Sequence, residues 1–146
     1  MTDACQEVRI EWYEGLENYM SVAESSDSVL AYFFTVREWD FIQKIYLSVA
    51  DESDLHLEET GFVFSGDTVE IYTPEGESSI EKRDFFMLMR RLYETLIDGA
   101  NEDHHTVRYE TWWQTFIDTA YALDAKCNIL TVTEEENIIT DRLSNR

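Results

Sequence analysis

The sequence predicts a single α+β domain: an antiparallel sheet of about four strands in two hairpins, with an N-terminal helix and two C-terminal helices packed on one face. Three observations predict it. Aromatic and β-branched residues crowd positions 29–49, a Gly66-Asp67 pair separates two alternating segments, and apolar residues recur at helical spacing beyond position 80. A chain of 146 residues suits one domain over 1–133, with a flexible or weakly helical tail over 134–146.

The first segment reads as a helix from about Ile10 to Glu24, with Trp12, Tyr13, Leu16, Tyr19, Met20 and Ala23 on one side. Its competitor is a short strand in which Val8, Ile10 and Trp12 alternate with Arg9, Glu11 and Tyr13. Ser25 to Ser28 is a loop. Val29 to Val36 is rich in residues that suit a pleated surface and Phe41 to Val49 alternates, so the two form a hairpin turning near Arg37–Asp40, a helix from Trp39 being the competing reading. Gly61–Ser65 and Thr68–Thr73 form the second hairpin, because a Gly-X turn at Gly66-Asp67 supplies the positive φ that a tight connection requires. Pro74 and Gly76 end that strand. Ser78 and Glu81 have capping-box spacing ahead of a helix bearing Phe85, Leu88, Met89, Leu92, Tyr93 and Leu96, with Gly99 as its stop. On that helix Arg90 and Glu94 are an i,i+4 ion pair. A second helix over Glu110 to Ala125 carries Trp113, Phe116, Ile117, Ala120 and Tyr121, and Asn128 to Val132 reads as a last strand.

Charge is the most informative property. Thirty-one acids against eleven Lys and Arg give a net charge of −20, while 14% aromatic residues speak against disorder. Such a body repels phosphate backbones and anionic lipid over about 8 Å at physiological salt, which argues against direct nucleic-acid or membrane binding. No apolar run is long enough to span a bilayer, and Met1 to Glu7 lacks signal-peptide character, so the expected location is cytoplasmic. The acidity is clustered. Residues 51–79 hold nine acids and no base, and residues 1–28 hold seven acids and one base. General solubility would intersperse both signs. A merely solvated acidic surface and adaptation to high salt are the alternatives.

No catalytic, cofactor-binding or metal-ligating set emerges. Cys5 and Cys127 form no CxxC pair, and Cys127 reads as a buried thiol. His104-His105 beside Glu102 and Asp103 lacks the spacing of a zinc site, and the stretch from Asp51 fails the EF-hand pattern at its sixth and twelfth positions, His56 and Phe62. Glycine-rich phosphate loops and nucleophile-elbow motifs are absent, so no enzyme is expected.

These properties predict a small acidic inhibitor that occludes the basic groove of a nuclease or nucleic-acid-processing partner, its carboxylates standing in for phosphates. The partner-binding candidates are Asp51, Glu52, Asp54, Glu58, Glu59, Glu75, Glu77, Glu102 and Asp103. Trp112, beside core-facing Trp113, is a candidate aromatic anchor, with a place in the core as its alternative. Immunity proteins that neutralise toxic nucleases and phage proteins that block host defence share this size and charge, but no motif ties the chain to either. The expected partner is a basic protein, bound by a monomer or homodimer. A different class with the same outline is the acidic secretion-type chaperone dimer, which holds an effector segment in apolar grooves.

Overall fold

Alternating burial shapes the start of the chain. Val8 and Ile10 are buried while Arg9 and Glu11 are exposed, and this period of two makes a strand, β1 (Arg9–Trp12). β1 pairs antiparallel with β2 (Ser21–Glu24), Ile10 opposite Ala23. The helix expected over Ile10 to Glu24 is therefore replaced by two strands wherever that stretch is described. The computed structural model describes residues 8–12 and 21–127; Cys5, the last strand expected over 128–132 and the tail expected over 134–146 lie outside them.

The second correction falls on residues 28–51. Both strands expected there are helices, α1 (Ser28–Phe33) and α2 (Trp39–Asp51). A continuous apolar run suits a buried helix as well as a strand, and the cap decides. The Asp27 carboxylate accepts the Val29 and Leu30 N–H groups at 2.9 and 3.3 Å and starts α1. In α2, Ile42, Ile45, Tyr46 and Val49 are buried at helical spacing, while Gln43, Lys44 and Leu47 are exposed.

The four-stranded antiparallel sheet is built one hairpin further along than expected. It is a meander, β3 (Leu55–His56), β4 (Gly61–Ser65), β5 (Thr68–Thr73) and β6 (Gly76–Glu81), in that spatial order. The expected turn is present, with Gly66 at φ +61°. Register places Phe62 opposite Ile71 and Val69 opposite both Phe64 and Ile80, which puts these side chains on one face. Val63, Glu70 and Ser79 share the other. The apolar face is covered by α1 and by α3 (Lys82–Glu102). Phe33 of α1 and Phe85 of α3 both meet Phe62, at ring separations of 6.1 and 5.3 Å.

Ser78 to Glu81 belongs to β6, and Glu81 precedes α3 without a side-chain cap. The capping box does not form because the Ser78 hydroxyl instead donates to the Asp27 carboxylate at 2.6 Å. A 3₁₀ turn (Thr106–Tyr109) then leads to the last described helix, α4 (113–127). Arg90 pairs across to Asp124 of α4 rather than along its own helix to Glu94.

All four tryptophans gather in a second aromatic cluster. Trp39 lies 6.2 Å from Trp12, 6.4 Å from Trp112 and 5.5 Å from Trp113. This cluster explains why Gly99 does not stop α3: the helix runs on to Glu102, and the Trp12 indole packs where a Gly99 side chain would lie. In an open helix Gly99→Ala would stabilise by about 1 kcal/mol. Here the methyl group meets the indole, and the substitution is expected to destabilise by roughly 1–3 kcal/mol in urea unfolding. A stabilised variant would disprove the packing of β1 on α3.

Candidate functional site

A meander alternates its turns between two ends of the sheet. The β3–β4 and β5–β6 connections must therefore share one end, with the Gly66-Asp67 turn at the other. Both connections are acidic at their tips. Leu57 N–H donates to the Thr60 carbonyl at 2.9 Å and closes a two-residue tip, Glu58-Glu59. Thr73 pairs with Gly76 around Pro74-Glu75, and the Thr73 hydroxyl accepts the Glu75 N–H at 3.0 Å. Topology alone thus brings Glu58, Glu59 and Glu75 to one rim.

That rim borders a cleft of about 860 Å³, walled by Tyr32, Phe33, Phe41 and Leu57 and edged by Arg37, Glu38 and Lys44. The position of α1 sets the wall. Asp27 caps α1 and accepts from Ser78, while Ser21 and Val36 exchange two backbone bonds at 3.1 and 3.2 Å. Together these clamp the chain on both sides of Tyr32 and Phe33. Lys44 is drawn to Asp40 at 2.9 Å, one turn away on α2, and its pKa is raised chiefly by that hydrogen bond. Among the described residues, Glu38, Glu58, Glu59 and Glu75 make no ion pair.

The acidic run 51–59 does not present one surface, because β3 separates its halves. Glu52 takes up a left-handed conformation (φ +53°) that closes α2, and its carboxylate binds Lys82 of α3 and, at 3.0 Å, Lys126 of α4. The hydrogen bond from Lys82, ahead of that from Lys126, holds the Glu52 carboxyl below the usual carboxylate range. Lys126 also donates to the Ala50 carbonyl at 2.6 Å. Glu52 is thus a structural junction of three helices. Asp54 accepts the Phe64 N–H at 2.8 Å and so satisfies a donor on β4 beyond the reach of β3. Asp103 accepts the Trp12 indole N–H at 2.6 Å. Asp51, Glu77 and Glu102 are exposed. Glu102 stands at the far end of α3 from Lys82, about 30 Å along a helix rising 1.5 Å per residue.

Trp112 is half-buried and meets Trp39, Tyr46, Trp113 and Phe116, within the tryptophan cluster and away from the cleft lining. Neighbouring His105 is half-buried against Trp39 and accepts the Val107 N–H at Nδ1, where it caps the 3₁₀ turn. Cys127 is buried, and burial pushes its thiol pKa up. Among the described residues no group of three or more His, Cys, Asp or Glu is placed to hold a metal ion, and no helix is long and apolar enough to cross a membrane. The sequence does not single out the cleft walls Tyr32, Phe33 and Phe41, because their convergence depends on α1 and α2 being helices. No family model matches this chain, and neither a curated protein nor a solved structure matches it.

Glu52→Gln removes the charge from the helix junction. After solvent screening the expected loss is roughly 0.5–1 kcal/mol at neutral pH. A carboxyl whose pKa is lowered by folding stabilises above its unfolded pKa and loses that contribution as pH falls through its folded pKa. Denaturation curves of the two proteins should therefore converge below the carboxylate range; a constant gap at every pH would show that charge is not the cause.

Proposed function

We propose that this protein is a small acidic inhibitor that binds the basic surface of a nuclease or another nucleic-acid-processing protein and shuts out its substrate. One observation carries the reading: the meander gathers Glu58, Glu59 and Glu75 around a cleft that Arg37 and Lys44 also edge, and none of the three is held in an ion pair among the described residues. Carboxylates needed for solubility alone have no reason to converge. Desolvated against Lys and Arg, they take the places that phosphate oxygens occupy in a nucleic-acid groove. The described end of the first acidic block lies against the same cleft through Ser25 and Ser28, while Asp27 itself is engaged by Ser78 and the α1 cap. On this reading the protein acts in the cytoplasm, as monomer or homodimer, and neither nucleic acid nor membrane is its direct ligand.

The apolar walls of the cleft favour a second reading, the acidic secretion-type chaperone that holds an unfolded effector segment. The two differ in what is bound. An inhibitor meets a folded, basic partner with an association rate that falls steeply with salt, whereas a chaperone binds an unfolded segment and dimerises through a large apolar interface.

The test begins with affinity capture from the source cell at low and high salt, followed by stopped-flow association with the captured protein. Glu58→Gln/Glu59→Gln/Glu75→Gln is expected to slow association about tenfold at low salt and little at high salt. The captured protein should lose nucleic-acid binding when this chain is added. An unchanged association rate, or a partner that still binds nucleic acid, would overturn the inhibitor reading.

A further inference from the structure

We propose that the cleft seats an arginine side chain of the partner, its guanidinium stacked on Tyr32 and bound by the Glu58 and Glu59 carboxylates. The inference rests on the reading of this rim as a docking surface and adds which side chain the rim selects.

Three features point to arginine. The first is charge complementarity. Glu38, Glu58, Glu59 and Glu75 outnumber Arg37 and Lys44 around the cleft, and Lys44, which also faces Glu38 and Glu58, is bonded to Asp40, so the cleft is net negative and attracts a cation. The second is the wall. Tyr32 is 36% exposed, and Phe41 and Leu57 are half-buried beside it, which gives an aromatic face and an apolar flank within one cleft. A guanidinium is planar and weakly hydrated, stacks on such a face and bonds to carboxylates along its edge. An ammonium is a compact, strongly hydrated charge and gains less there.

The third feature is already in place. The Arg37 guanidinium lies over the Tyr32 ring, 5.9 Å from its centre. The ring thus accepts from its own chain the group that the partner would supply. Arg37 is exposed, on the segment joining α1 to α2, and an incoming arginine takes its position over the ring.

The test uses the full chain, labelled with ¹⁵N, and three synthetic nonapeptides identical except for a central arginine, lysine or citrulline. The arginine peptide is expected to shift amides at 31–33 and 57–60 and to bind at least fivefold tighter than the lysine peptide, with the uncharged citrulline peptide weakest. Tyr32→Ala should bring arginine down to the lysine level, and Tyr32→Phe, which keeps the ring, should retain the preference. Glu58→Gln/Glu59→Gln should weaken both cationic peptides at least fivefold. Thermal melts of each variant separate lost binding from lost fold. Equal arginine and lysine affinities, a preference that survives Tyr32→Ala, or shifts confined to other residues would overturn the proposal. Equal affinities alone would leave the inhibitor reading standing. Conversely, peptide selectivity together with an unaffected partner would keep the arginine site and remove the inhibitor reading.

Discussion

The structure depends on covering one face of a small sheet. Phe62 and Ile71 stand opposite each other on β4 and β5 and are fully buried, and a slip of one residue would turn both to solvent. Burying them requires Phe33 from before the sheet and Phe85 from after it. Seven of the eight phenylalanines join this one network of ring contacts. Their register decides which residues become turn tips, and so which carboxylates meet at the rim. Packing under the sheet thereby governs the charge pattern at its end.

Legibility followed the range of the interactions. The hairpin around Gly66-Asp67 and the periods of α3 and α4 are set by neighbours in sequence, and they could be read directly. Residues 29–36 could not. Their apolar run fits a buried strand and a buried helix alike, and the choice depends on Asp27, whose second oxygen is held by Ser78, fifty-one residues away. Gly99 looked like a helix stop because its reason for being glycine, the Trp12 indole, comes from the other end of the chain. At the site, Glu58, Glu59 and Glu75 were identifiable from clustered charge. Their aromatic walls were not, since the apolar runs of α1 and α2 fit strands as well as helices. Glu52 stood among the same acids, yet its partners Lys82 and Lys126 lie thirty and seventy-four residues on.

The few cations are used in a consistent way. Lys82 and Lys126 meet at Glu52, Arg90 reaches Asp124, Lys44 turns back to Asp40, and Arg9 pairs with Glu11. Pairs this exposed contribute about 0–1 kcal/mol each, so their effect on stability is small. Their effect on the field is larger. Lys82, Lys126 and Arg90 are engaged at helix contacts away from the rim, which leaves Arg37 and Lys44 as the cations that edge the cleft.

The cleft is also the margin of the core. Phe33 is 1% exposed and packs against Phe34, Phe41 and Phe62, yet it borders the same cavity as Tyr32, its neighbour in α1. A wall that is part of the core cannot shift without opening the sheet, so the aromatic side of the cleft is held in shape before anything binds. The carboxylates of Glu58, Glu59 and Glu75 sit instead on two-residue tips and are exposed. An apolar wall set by the core, beside an exposed charged rim, combines a preformed surface with long-range attraction that favours the encounter. Recognition and folding therefore draw on the same phenylalanines, and an occupant of the cleft stabilises the packing that shaped it.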